Sequence, residues 1–156
     1  MTALRGLILA APASGSGKTL IVAGLLRHLQ QHGTRVRAAK AGPDYIDPTF
    51  HAAASGRPCV NLDLWGMRPA TLSRLVAELE ANAELVLCEG VMGLFDGTGA
   101  NGEVGSTAAL ARMIGWPVVL VVDARRQGAS AAALIASPQV SFFHCWPPAR
   151  ATSSTY

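Results

Sequence analysis

Residues 12–19 read Pro12-Ala-Ser-Gly-Ser-Gly-Lys-Thr19, and what flanks this stretch decides the fold. Upstream, Leu7-Ile-Leu-Ala-Ala11 is a short apolar run of strand length. Downstream, Leu20, Ala23, Gly24 and Arg27 mark one face of a helix over 19–31, and Ile21, Leu25, Leu26 and Leu29 broaden its apolar surface before His32-Gly33 ends it. Strand, glycine-rich turn and helix in this order match the phosphate-loop pattern G-x-x-x-x-G-K-[ST], with Pro12 in place of the first glycine. Gly15 and Gly17 let the backbone turn its N–H groups onto a phosphate at a helix N-terminus, where anions are favoured. Lys18 can then reach the outer phosphate oxygens, and Thr19 can offer its hydroxyl to Mg²⁺. Ser14, Gly15, Ser16, Gly17, Lys18 and Thr19 are therefore the candidate nucleotide-binding set. By itself this motif indicates a nucleoside triphosphate and not what is done with it.

Further along, strand-like and helix-like segments alternate. Strands are expected at 36–41, 85–88 and 118–122. Helices are expected at 69–82, 106–114 and from 129 to 136. The helix over 69–82 is the clearest, with Leu72, Leu75, Val76 and Leu79 on one face and Glu78 and Glu80 toward water. Apolar strands between helices predict a three-layer α/β fold of the P-loop NTPase type, a parallel sheet with helices on both faces. Ligands in such folds sit at the carboxyl ends of the strands. Residues 1–136 are read as one domain, incomplete at its C-terminal end. Residues 137–156 hold three prolines and no period, and are expected to be unstructured, an altered end of a longer protein, or a partner-docking tail.

Composition removes several function classes. Half of the 156 residues are hydrophobic and 15% are charged, which excludes general disorder. The net charge of +3 is scattered. Its densest patches, Arg35-Val-Arg-Ala-Ala-Lys40 and Arg125-Arg126, lack interleaved aromatics, so no nucleic-acid partner is expected. The apolar run over 118–122 is too short to span a bilayer, and no membrane partner is expected. Cys59, Cys88 and Cys145 form no CxxC pair, and Met1-Thr-Ala-Leu-Arg runs straight into a strand. A cytoplasmic, reduced location is the expectation.

Polar residues gather at the strand ends. The strand over 85–88 delivers Glu89, an acid suited to hold Mg²⁺ directly or through water. Gly90, Gly93 and Gly97 let the chain wrap a ligand and present Asp96, although Asp96-Gly97 is also a turn former. Lys40 ends the second strand, where a further cation could neutralise a transferred phosphoryl group. Asp44 and Asp47 are expected on one short loop, binding metal or orienting a nucleophile; either alone could be an Asx turn or a cap before Pro48.

SGSGKT, KAGPDYIDPTFH, NLDLW and EGVMGLFDG, in this order and spacing, resemble the N-terminal synthetase domain of the cobyrinic and hydrogenobyrinic acid a,c-diamide synthase family, within the dethiobiotin-synthetase-like branch of P-loop proteins. The resemblance covers about residues 4–135. It implies ATP- and glutamine-dependent amidation of the a and c acetates of a corrin ring through an acyl phosphate. It assigns ATP to the glycine-rich loop from Gly15 to Thr19, and Mg²⁺ to Thr19 and Glu89, joined by Asp63. Lys40 would stabilise phosphoryl transfer, and Asp44, Asp47 and Asp96 would position substrate, intermediate or ammonia. The family's glutamine amidotransferase half has no counterpart here: Cys59 and Cys88 sit on no nucleophile elbow, and Cys145 neighbours His144 only in sequence. The chain is thus expected to be truncated and to need free ammonia or a separate glutaminase, with monomer and homodimer both open.

Other constellations carry less. His28 and His32 share a helical face but lack the glutamate of HExxH and a third ligand. His51 is read as substrate contact or loop packing, Trp65 as core or a lid before a corrin-stacking surface, and Asp123 with Arg125-Arg126 as a solvated loop. Two functions compete with amidation. One is a partitioning or switch ATPase, disfavoured because no lysine precedes Lys18 in the loop. The other is an inactive fragment.

Overall fold

The computed structural model describes residues 5–99, 104–125 and 127–136. Its elements are β1 (Gly6–Ala10), α1 (Lys18–Gln31), β2 (Val36–Ala41), α2 (Asp47–Ser55), β3 (Val60–Leu62), α3 (Pro69–Ala81), β4 (Leu85–Glu89), α4 (Thr107–Ile114), β5 (Val118–Leu120) and α5 (Ala131–Ile135). Among the described residues the five strands form one sheet in the order β3-β2-β4-β1-β5, parallel throughout. The three-layer expectation holds. The expected helix over 129–136 shortens to α5, the strand over 118–122 shortens to β5, and the tail over 137–156, with His144 and Cys145, lies outside the described residues.

Apolar strands form the middle layer because both of their faces are covered. On one face Ile8, Ala39, Val86 and Cys88 pack with Leu72 and Leu79 of α3, Leu110 of α4, and Trp116. On the other, Leu9, Val36, Ala38 and Leu87 pack with Val22 and Leu26 of α1. Each leucine so buried contributes about 1.5–3 kcal/mol over leaving it in water. Local chemistry sets the helix ends. Pro69 opens α3, where its missing N–H has no intrahelical partner to lose. The Ser106 Oγ accepts from the Ala109 N–H at 3.1 Å to cap α4, and Gly115 closes that helix in the left-handed region at φ 74°.

Two elements were not foreseen, and both flank β2. The expectation of one loop carrying Asp44 and Asp47 is corrected: the turn ends at Ile46, and Asp47 is the first residue of α2, with Pro48 in its opening turn. The inward-facing residues of α2 are His51 and Ser55, both polar, so the helix has no apolar stripe to announce it. β3 is three residues long and borders β2 as the edge strand. Among the described residues no helix is long and apolar enough to cross a membrane.

Candidate functional site

Because β1, β4 and β2 are adjacent and parallel, their carboxyl ends deliver three loops to one place. Lys40 and Glu89 are register partners on β2 and β4, so their side chains leave the sheet side by side. The loop after β1 carries Gly15 and Gly17 in the left-handed region, at φ 79° and 81°, and Gly17 caps α1. Ser16 Oγ donates to Ala13 O at 2.7 Å, closing the turn.

Charged groups meet above these ends almost without solvent. Lys18 is 7% exposed, Lys40 4% and Glu89 1%. Lys40 Nζ lies 3.0 Å from Asp47 Oδ2, 3.7 Å from Glu89 Oε1 and 3.8 Å from Asp44 Oδ2, and donates to Gly90 O at 3.1 Å. Thr19 Oγ1 donates to Glu89 Oε1 at 2.7 Å, and His51 Nε2 lies 2.6 Å from Glu89 Oε2. Lys18 Nζ donates to Met92 O at 2.7 Å; Met92 has a φ of 32°, the one positive value on a non-glycine among the described residues.

Burial pulls in opposite directions on the two kinds of charge. It lowers the Lys18 pKa from 10.5, opposed by Glu89 and reinforced by Lys40. It would raise that of Glu89, yet hydrogen bonds from His51 and Thr19, with Lys40 nearby, hold it below 4.5. Glu89 is therefore ionised at neutral pH, and its carboxylate is held ready to accept.

A cavity of about 570 Å³ lies over the glycine-rich loop, bordered by Lys18, Thr19, Lys40, Asp47 and Glu89. A second, of about 700 Å³, adjoins it and is lined by Tyr45, Ile46, Trp65, Met92 and Asp96 among others. Asp44, Val91 and Met92 border both. The second cavity gathers exposed apolar side chains that a folded chain ordinarily hides: Tyr45 is 83% exposed, Trp65 62%, and Ile46 and Met92 56% each.

The predicted residues fare differently. Those of the glycine-rich loop, together with Lys40, Asp44, Asp47 and Glu89, come together. Asp96 borders the second cavity, where its Oδ2 accepts from the Gly93 N–H at 2.7 Å. Gly93 is needed there, since a Cβ would stand 2.6 Å from Pro12 O; the loop after β4 thereby rests on the glycine-rich loop. Asp63, expected beside Thr19 and Glu89, is not among the residues bordering the cavity over the glycine-rich loop. It follows β3, which borders β2 and stands two strands from the β4 strand that carries Glu89. Its Oδ1 instead accepts from the Trp65 N–H at 2.9 Å, forming a turn that presents the indole.

Trp65 is exposed and so not core; its ring lies against Gly105 at the cavity's edge. His51 is fully buried, so the reading of it as a substrate contact is withdrawn. Sequence reasoning underrated it because its partner is 38 residues away, and only its i+4 spacing from Asp47 on an unrecognised helix could have flagged it. Burial pushes the Cys59 thiol up to about 12 and the Cys88 thiol higher still, which keeps both unreactive. The His28 and His32 rings lie 4.1 Å apart on an exposed turn. Asp123 and Arg125 pair in solvent at 2.6 Å, and Arg126 lies outside the described residues.

Among the described residues no group of three or more His, Cys, Asp or Glu is placed to hold a metal ion. The pairing of Thr19 in the first turn of α1 with Glu89 at the end of β4, two hard oxygen donors, nevertheless fits Mg²⁺, which is usually bound by one or two protein oxygens plus phosphate and water.

Comparison with known proteins agrees with this architecture. The family model described as "CobQ/CobB/MinD/ParA nucleotide binding domain" matches residues 7–142. The chain is 54% identical over 133 residues to the hydrogenobyrinate a,c-diamide synthase of Brucella anthropi, covering 85% of this chain and 30% of that protein. It is 56% identical over 131 residues to the enzyme of the same name from Rhodobacter capsulatus, covering 83% and 30%, and 52% identical over 135 residues to that of Mesorhizobium japonicum, covering 86% and 30%. The chain thus spans 30% of the length of these curated relatives.

Proposed function

The chain belongs to the CobQ/CobB/MinD/ParA nucleotide-binding domain family, and from that premise we propose that it activates carboxylates of a corrin acid with ATP, for conversion to amides. The observation that carries this reading is the shared wall of the two cavities. Asp44, Val91 and Met92 border both, so a carboxylate entering over Tyr45 and Trp65 can approach a phosphate held by the glycine-rich loop. The names of the relatives support the corrin as substrate.

The chemistry explains the charge arrangement. A carboxylate oxygen attacks the γ-phosphorus, forming a C–O–P linkage while the bond to the β,γ-bridging oxygen breaks and ADP leaves. Ammonia then attacks the acyl carbon, the C–O bond to phosphate breaks, and nitrogen gives up its proton to solvent or a neighbouring carboxylate. Two anions must approach in the first step, and buried ammonium groups at Lys18 and Lys40 offset their repulsion where the dielectric is low. Mg²⁺ held by Thr19 and Glu89 would draw further charge from the phosphates. Ser14, Gly15, Ser16 and Gly17 shape the phosphate cradle, while Asp44, Asp47 and Asp96 orient Lys40 and the substrate side. Residues 1–136 would form the synthetase domain of a longer protein, with ammonia released from glutamine elsewhere in it.

The test is mass spectrometry of a corrinoid diacid incubated with the chain, ATP, Mg²⁺ and ammonium. A mass change matching two carboxyls turned into carboxamides, with ADP formed in proportion, is the expected result. Steady ATP hydrolysis that ignores the corrinoid would replace this reading with a switch ATPase.

A further inference from the structure

We propose that His51 is a positioning residue that holds Glu89 in the orientation needed to receive a divalent cation with the nucleotide. The proposal rests on the assignment of Glu89 as a cation-holding group made above. His51 itself touches neither nucleotide nor cation, because it has no exposed surface.

The two oxygens of Glu89 have separate partners. Oε2 is 2.6 Å from His51 Nε2, whereas Oε1 accepts from Thr19 Oγ1 at 2.7 Å and lies 3.7 Å from Lys40 Nζ. The terminal torsion of a glutamate is broad and nearly unrestrained. Left to itself in this buried place, the carboxylate would swing both oxygens onto the Lys40 ammonium. The imidazole prevents that by engaging Oε2, so Oε1 stays turned toward the threonine of the phosphate loop.

The ring nitrogens indicate how it does so. Nδ1 is buried and has no hydrogen-bond partner among the described residues. A proton there would be a buried, unsatisfied donor, which costs more than an idle lone pair. The geometry therefore puts the ring's proton on Nε2, which donates to the carboxylate.

α2 makes the arrangement possible. Asp47 and His51 are four residues apart and lie one above the other on its inner face. Asp47 holds Lys40 at 3.0 Å while His51 holds Glu89 at 2.6 Å. One helix face thus takes the cation with one turn and the anion with the next, and keeps the two at 3.7 Å. Partners behind a metal-holding side chain of this kind commonly tune cation affinity about 10- to 100-fold.

Two measurements test the proposal. Long-range proton–nitrogen NMR on the unmodified chain should show His51 protonated at Nε2 and bare at Nδ1, with the Nε2–H signal moving in Glu89→Gln. The opposite tautomer overturns the proposal without any mutation in the helix. In the second, binding of a fluorescent ATP analogue is followed by anisotropy while Mg²⁺ is titrated. His51→Leu, similar in bulk but without a donor, should raise the half-saturating Mg²⁺ concentration about 10- to 100-fold. His51→Gln, whose amide N–H can still donate, should recover most of that loss, and His51→Leu added to Glu89→Gln should have no further effect. An unchanged half-saturation in a His51→Leu protein that unfolds at the unmodified midpoint also overturns it. Nucleotide binding by the unmodified chain that ignores Mg²⁺ would remove the reading of Glu89 itself, and the tautomer measurement separates that failure from failure of the histidine–carboxylate link.

Discussion

The two adjoining cavities at the carboxyl edge of the sheet share a wall but are built on opposite plans. One is bordered by charges taken almost out of water: Lys40 and Glu89 are register partners at strand ends, and Lys18 opens α1. The other exposes large apolar groups, Tyr45, Ile46, Trp65 and Met92, all on loops. Under the proposed function, the difference is a division of labour. Phosphate chemistry needs charges fixed in place before the ligand arrives, and rigid elements supply that. Recognition of a large, flat organic ligand needs apolar area that can be retuned without disturbing the sheet, which loops allow.

If this division is right, damage to the ionic cavity should cost both stability and chemistry. Lys40→Met leaves the buried Glu89 and the half-buried Asp47 opposite an apolar side chain. The expected loss is about 3–5 kcal/mol in urea unfolding, with ATP turnover down on the order of 100-fold. An unaltered unfolding midpoint would break the comparison at its strongest point.

Damage to the apolar cavity should be milder and separable. Trp65→Ala is expected to weaken corrinoid binding roughly tenfold by calorimetry, about 1.4 kcal/mol, with nucleotide affinity and the thermal midpoint unchanged. Loss of nucleotide affinity in this variant would mean the cavities are not independent.

The smallest effect sharpens the comparison at the shared wall. Burial would raise the pKa of Asp44, but the N–H groups of Ile46 and Asp47, with Lys40, hold it below 3.8. A carboxylate lowered on folding contributes stability that is present above 3.8 and lost as pH falls through its folded value. Asp44→Asn should therefore flatten the acid limb of a stability–pH curve below 3.8 and leave the neutral region's slope unaltered. A limb as steep as before would show that Asp44 is not held by these groups.

The tertiary structure also sorts the acids that sequence grouped together. Glu89, Asp44 and Asp47 join Lys40, whereas Asp63 turns to the Trp65 backbone and Asp96 engages Gly93. Spacing along the chain could not separate these cases, because an Asp in a turn and an Asp in a cluster leave the same local pattern.

What the sequence determined alone was the set of local units: the glycine-rich loop between strand and helix, the apolar strands, and the polar residues at their ends. Each is legible because short-range chemistry dictates it, glycine where φ must be positive and unbroken apolar runs where both faces are covered. Only the tertiary structure decided that β2, β4 and β1 stand side by side, that residues 47–55 form a helix, and that His51 serves Glu89. Periodicity registers a helix that buries apolar area. The inner face of α2 buries hydrogen bonds and countercharge instead, and which charge it meets depends on strand order, which no local stretch encodes.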